Sequence, residues 1–158
     1  MSREYVTALR ESLEKKQKVL EEILRLCKMQ QEVLSSEKFD AEKFDALVDD
    51  KDICIEKLEK LDEGFELVYS RVESELKDNK AQYSEDIRSM QERIKTITEL
   101  STKINALEER NRKGVSDALI KERKGLSEGK RSVNVAMHYY KNMSGLNVND
   151  SRYMDKKK

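Results

Sequence analysis

Apolar residues recur every three or four positions over three long segments of this 158-residue chain, and this recurrence constrains the fold more than any other feature. Such spacing places the apolar side chains in a stripe along one face of an α-helix. The sequence contains no proline, so the commonest helix breaker is absent from all three segments. The pattern therefore predicts three long amphipathic helices.

The first predicted helix covers roughly residues 3–35 and the second roughly residues 41–78, whereas the third begins near Glu85 and is well patterned as far as Leu107. Beyond that point Glu108 and Asn111 continue the line of the stripe, which then thins. The stripe positions are Val6, Leu9, Leu13, Lys16, Leu20, Ile23, Cys27, Gln30 and Leu34 in the first helix; Phe44, Leu47, Lys51, Cys54, Leu58, Leu61, Phe65, Val68, Val72 and Leu76 in the second; and Ile87, Met90, Ile94, Ile97, Leu100, Ile104 and Leu107 in the third.

Short polar connections separate the predicted helices. Residues 37–46 hold two tandem copies of Glu-Lys-Phe-Asp-Ala, in which we expect Phe39 to cover the end of the hairpin and Asp40 to cap the second helix. Ser84 is the expected cap of the third helix, with acidic residues following it in the first turn. Short connections between long helices favour antiparallel packing of neighbours.

The last third of the chain is patterned more weakly than the rest. Four of the five glycines lie there, and Glu122 and Gly129 interrupt a helical phase that is otherwise still visible. The predicted fold class is all-α: an extended antiparallel three-helix bundle over residues 1–112, a weakly packed and flexible helical segment over residues 113–146, and a mobile basic tail over residues 147–158.

The chain has no net charge, but its charges are unevenly distributed. Residues 1–79 contain 14 Lys/Arg and 21 Asp/Glu, whereas residues 80–158 contain 18 and 11. We interpret this asymmetry as attraction between parts that pack together. A nucleic-acid surface is the alternative, although no base-stacking aromatic residues are interleaved with the basic cluster that would form it. That cluster consists of Arg110, Arg112, Lys113, Lys121, Arg123, Lys124, Lys130 and Arg131.

No segment of the sequence is typical of a membrane span or a signal peptide. The longest apolar runs are three residues, whereas a membrane-spanning helix needs about 20. The first four residues, Met-Ser-Arg-Glu, lack the apolar core of a signal peptide. We therefore expect a cytoplasmic protein that does not insert into membranes.

Residues suited to catalysis or metal binding are scarce. His138 is the single histidine, and zinc sites need three or four protein ligands. Cys27 and Cys54 are expected to be small core residues and to remain unbonded, because a hairpin turning near residue 38 places them at different levels. We predict no catalytic, cofactor-binding or metal-binding residues, and no cofactor.

The segment over residues 133–146 is the most informative one for binding, because it holds two of the six tyrosines and two of the six methionines. Methionine adapts to different partners, and tyrosine offers a large apolar surface with one polar end. The segment is either a docking strip for an amphipathic partner helix or simply the cover of one end of the bundle. The candidate partner-binding residues are Val115, Leu119, Leu126, Val133, Ala136, Met137, Tyr139, Tyr140 and Met143.

The layout resembles that of the FlgN-like flagellar export chaperones. The likeness is carried by the hairpin SSEKFDAEKFDALVDDKDICIEKLEKLD, by INALEERNRKGVSDALI in the third helix, and by the closing SRYMDKKK. Within these, Leu107 with Asn111-Arg112 and the stretch from Ser151 to Lys157 are the most specific pieces.

The resemblance implies a cytoplasmic chaperone for the hook-associated proteins of the hook–filament junction. Such a chaperone binds the C-terminal helical part of its cargo through its own C-terminal third, prevents premature assembly, and delivers the cargo to the type III export gate. Two alternatives remain open: a coiled-coil scaffold protein that self-associates, and a nucleic-acid adaptor. The sequence leaves the oligomeric state open.

Overall fold

A computed structural model of the chain describes residues 2–123 together with Tyr139 and Tyr140. Three helices account for almost all of this part: α1 (Ser2–Ser35), α2 (Ala41–Asp78) and α3 (Ser84–Arg123). No strand occurs within these ranges. The predicted fold class, an all-α three-helix bundle, is confirmed.

In the connection between α1 and α2, Asp40 and Phe39 have the roles that the sequence predicts. The backbone N–H of Lys43 donates to Asp40 Oδ1 over 3.1 Å, so Asp40 caps α2. The ring of Phe39 lies 5.7 Å from that of Phe44, between centroids, and covers the first turn of the helix.

At the start of α3 the predicted cap is wrong. The carbonyl of Tyr83 accepts the first helical hydrogen bond, from Ile87 N–H over 2.8 Å, and Ser84 is the first helical residue. The reason is tertiary: the Tyr83 side chain is buried, its hydroxyl donates to Glu75 over 3.2 Å, and the Arg3 guanidinium lies above its ring. These contacts fix the backbone at residue 83 and make it the cap of α3. The local preference of helix caps for serine does not predict this.

The contacts divide the chain into two compact units. The described residues of unit 1 are 2–21 and 55–101, and those of unit 2 are 22–54, 102–123 and the two tyrosines. Each unit therefore contains a stretch of all three helices.

In unit 1, α1 runs antiparallel to α2 and parallel to α3. The interhelical contacts that establish this are Ser2–Glu75 and Lys16–Asp62 for α1 with α2, and Arg3–Asp86 and Gln17–Arg93 for α1 with α3. Lys16, the polar position on the first stripe in this unit, is buried along its stem and reaches Asp62 over 2.6 Å. A lysine can therefore stand on the apolar stripe, because its stem is buried in the core while its ammonium group is paired.

In unit 2, α3 continues as helix well beyond Leu107. Val115 is fully buried, and Gly114 lies so close to α1 that a Cβ at this position would stand 2.9 Å from Leu34 Cδ1. The glycine thus permits a close approach of two helices. Neither cysteine forms a disulfide and both are buried, as predicted.

Candidate functional site

The polar residues on the stripes of unit 2 meet in the core. Lys51 on α2 has no exposed surface. Its ammonium group donates to Gln30 Oε1 on α1 over 2.9 Å and forms an ion pair with Glu108 on α3. A buried cation is costly unless it is paired and hydrogen-bonded, so these contacts bring one residue of each helix to a fixed place.

Cys27 and Asn111 extend this network on the side of α1 and α3. The Cys27 thiol donates to Glu108 Oε1 over 2.7 Å, and the Asn111 amide donates to the backbone carbonyl of Cys27 over 3.0 Å. Burial raises the pKa of the Cys27 thiol more than the charge of Lys51 lowers it, and the charge of Glu108 raises this pKa as well. A thiol held protonated serves as a donor and a packing group, since reactive cysteines need the thiolate form.

Tyr139 and Tyr140 lie over this network, although they are far from it in sequence. Lys51 Nζ is 5.0 Å from the ring centroid of Tyr139 and 5.5 Å from that of Tyr140. The two rings meet edge to face, with centroids 5.1 Å apart. A desolvated ammonium below two aromatic faces is a favourable cation–π arrangement. We call Cys27, Gln30, Phe44, Lys51, Glu108 and Asn111, which lie below or beside the rings, the Lys51 cluster.

The hydroxyls of the two tyrosines differ in their hydrogen bonding. The Tyr140 hydroxyl donates to Gln30 Oε1 over 3.4 Å, and its ring lies 6.2 Å from that of Phe44. By contrast, the buried Tyr139 hydroxyl has no hydrogen-bond partner within the described part of the chain, and the same holds for Gln30 Nε2 and Glu108 Oε2. Burial raises the pKa of both tyrosines, and the Glu108 carboxylate raises it further.

The predicted partner-binding residues fall into three groups. Val115 is buried in unit 2, and Leu119, one turn further along α3, is half-buried beside the exposed Ile120. Tyr139 and Tyr140 are brought together on the Lys51 cluster, where they are 8% and 4% exposed. The remaining candidates lie outside the described residues, as does His138. They are Leu126, Val133, Ala136, Met137 and Met143.

Each member of the Lys51 cluster stands out singly in the sequence, but the sequence pattern does not predict that they meet. A signal for this was present, because Gln30, Lys51 and Glu108 are polar residues that each stand on the line of an apolar stripe. Stripes of neighbouring helices pack together in the core, and a buried lysine demands a carboxylate nearby. Glu108 is the polar residue on the third stripe that meets this demand.

Other kinds of site are not apparent in the described ranges. Residues 2–123 contain no group of three or more His, Cys, Asp and Glu side chains that could hold a metal ion. Over the same part of the chain, none of the helices is sufficiently long and apolar to cross a membrane. The site in unit 2 is thus a charged and hydrogen-bonded cluster that holds two aromatic rings.

Comparison with known protein families gives a match over most of the chain. A family model described as FlgN protein matches residues 1–126. No curated protein and no solved structure matches the chain. All members of the Lys51 cluster lie within the matched range, whereas Tyr139 and Tyr140 follow it.

Proposed function

The chain belongs to the FlgN family of flagellar export chaperones, and from this premise we propose that its cargo is the hook-associated proteins of the hook–filament junction. The family match is the observation that carries the proposal, and it confirms the resemblance seen in the sequence. The protein acts in the cytoplasm by binding alone, without a catalytic site, keeps cargo from assembling prematurely and delivers it to the type III export gate.

We further propose that cargo binds to the C-terminal third of the chain. The apolar face of an unassembled cargo helix would aggregate if it stayed exposed, and a strip rich in methionine and tyrosine can cover it. The described part of this region supports the idea with apolar surface near the end of α3, where Ile120 is 47% exposed. The contact residues would be Val115, Leu119, Leu126, Val133, Ala136, Met137, Tyr139, Tyr140 and Met143.

Titration calorimetry with the full chain tests this function. The probes are the C-terminal helical segments of the hook-associated proteins encoded in the same genome, with scrambled segments of equal composition as controls. We expect saturable binding of the native segments only. Substituting Met137 and Met143 together by serine should weaken it, whereas Leu67→Ser, which removes an exposed apolar side chain from α2, should not. Equal heats from native and scrambled segments would contradict the proposal.

Two measurements separate the chaperone from the alternatives. A self-associating scaffold requires a stable oligomer at low micromolar concentration, which sedimentation velocity detects. A nucleic-acid adaptor requires binding that weakens steeply with salt, so an absence of binding to DNA or RNA at low salt eliminates it.

A further inference from the structure

We propose that the docking of Tyr139 and Tyr140 on the Lys51 cluster is an intramolecular latch that competes with cargo. In the free chain the two rings are stored on Lys51, and they must leave it before they can contact a cargo helix. This inference rests on the proposed function and specifies how its binding strip is regulated.

The competition follows from burial. With only 8% and 4% of their surfaces exposed, Tyr139 and Tyr140 offer almost no area to a partner while they are docked. A face of each ring is turned toward Lys51, and the Tyr140 ring also lies against Phe44. The same surface cannot serve both contacts, so the cost of undocking lowers the apparent affinity for cargo.

The Lys51 cluster does not depend on the tyrosines for its main polar contacts. Lys51 has Gln30 and Glu108 as partners, Cys27 bonds to Glu108 and Asn111, and none of these contacts is made by a tyrosine. Lifting the rings therefore opens the cluster to solvent without leaving an unpaired charge in the core. This property makes the latch reversible.

Some buried polar atoms lack hydrogen bonds while the rings are docked, and this limits the strength of docking. The Tyr139 hydroxyl, Gln30 Nε2 and Glu108 Oε2 are buried without hydrogen-bond partners among the described residues. Buried polar atoms of this kind lose their hydrogen bonds to water without compensation. When the rings leave, water can form hydrogen bonds with these atoms. This gain offsets part of the lost ring contacts, so a cargo helix can displace the tyrosines from the cluster.

The two hydroxyls provide a matched pair of substitutions. Tyr140→Phe removes the hydrogen bond to Gln30, which weakens docking and should raise the affinity for the native cargo segment about two- to tenfold. Tyr139→Phe removes a hydroxyl that has no partner in the described part, which strengthens docking and should lower the affinity by a similar factor, about two- to tenfold. Both variants keep the rings, so the apolar contacts with cargo are preserved. Replacing both tyrosines by alanine removes those contacts and should lower affinity.

Acylation of Lys51, mapped by mass spectrometry, reports docking without reference to cargo. Lys51 is fully covered in the docked chain, so its amine should react slowly with acetic anhydride compared with exposed lysines. We expect the rate to rise in Tyr140→Phe, to fall in Tyr139→Phe, and to rise in the wild-type chain when the native cargo segment is added. Circular dichroism checks that each variant keeps its helices.

The outcomes distinguish the latch from the proposed function. Opposite affinity changes in the two phenylalanine variants, together with faster acylation of Lys51 on cargo addition, support the latch. If cargo binds but Lys51 stays protected, or if both variants shift affinity in the same direction, the latch is wrong and the chaperone function stands. If no cargo segment binds while acylation still ranks the variants as expected, the docking is verified but the proposed function, and the competition with it, fail.

Discussion

Lys51 is a charged residue without solvent contact, and its position depends on partners contributed by the other two helices. An isolated ammonium group would be too costly to bury, whereas the carboxylate of Glu108, the amide oxygen of Gln30 and two aromatic rings together replace its hydration. Such a pair adds little net stability compared with apolar residues of equal size. We infer that its value is specificity, because the pair is satisfied only where the three helices bring Gln30, Lys51 and Glu108 together.

Substitutions at the Lys51–Glu108 pair should have strongly non-additive effects on stability. Glu108→Leu or Lys51→Met alone leaves one buried charge without its partner and should reduce the free energy of unfolding by about 3–5 kcal/mol. The double variant Lys51→Met/Glu108→Leu should be about as stable as the wild type or more stable, because no charge is left in the core. Urea denaturation of the three variants measures this. The exposed pair Glu109–Arg112 is the control, and additive, small losses at both pairs would contradict the argument.

At the scale of helices, the two glycines of the described part have different surroundings. Gly64 lies in the middle of α2, and a Cβ there would meet nothing within 4 Å. Gly114 lies in α3 against Leu34, which a Cβ would approach to 2.9 Å. The same substitution should therefore have different consequences at the two positions.

Gly64→Ala should increase the free energy of unfolding by about 0.5–1 kcal/mol, because alanine loses less backbone entropy in a helix. Gly114→Ala gains the same helix propensity but must displace the Leu34 side chain, so its net effect should be clearly less favourable than that of Gly64→Ala. Thermal unfolding followed by circular dichroism compares the two. Equal gains at both positions would show that the close approach at Gly114 does not matter.

The helices and most of their buried faces could be predicted from periodicity alone. The bounds of α2 match the expected ones, and the stripe of α1 corresponds closely to its buried residues. Tyr83 and the continuation of α3 through Gly114 could not be predicted, since both depend on contacts with other helices. A local pattern also cannot reveal that residues 139 and 140 dock on Lys51, because nothing in the short-range sequence encodes a contact so distant along the chain.

Across the whole molecule, stability depends on the protonation of Cys27 in the Lys51 cluster and of the two tyrosines that lie over it. The pKa values of Cys27, Tyr139 and Tyr140 are all raised in the folded chain, mainly by burial. The folded form therefore retains these protons more strongly than the unfolded form. Stability from this source is complete below the ordinary pKa values, about 8.5 for cysteine and about 10 for tyrosine, and it is lost as pH rises above them.

We expect the free energy of unfolding to fall in two stages as pH is raised from neutrality, with each group contributing at most about 1.4 kcal/mol per pH unit. Cys27→Ala should remove the first decrease, near pH 8.5–9, and the combined Tyr139→Phe/Tyr140→Phe variant should reduce the second, above about pH 10. Urea denaturation at a series of pH values measures both. An alkaline profile identical in all three proteins would mean that these groups are solvated in the folded chain.

The tandem pentapeptide before α2 has a consequence for how this chain can change over generations. Because the two copies are identical in amino-acid sequence, one copy can be added or removed without changing any other residue. A third copy would lengthen the connection between α1 and α2 at a small entropic cost. The two copies next to α2 would still supply the Asp40-Ala41 pair that begins the helix and the residues that follow it. Loss of one copy would leave a single phenylalanine to serve both as the cover now made by Phe39 and as the fully buried Phe44. We therefore expect natural length variants of this connection to carry insertions and not deletions.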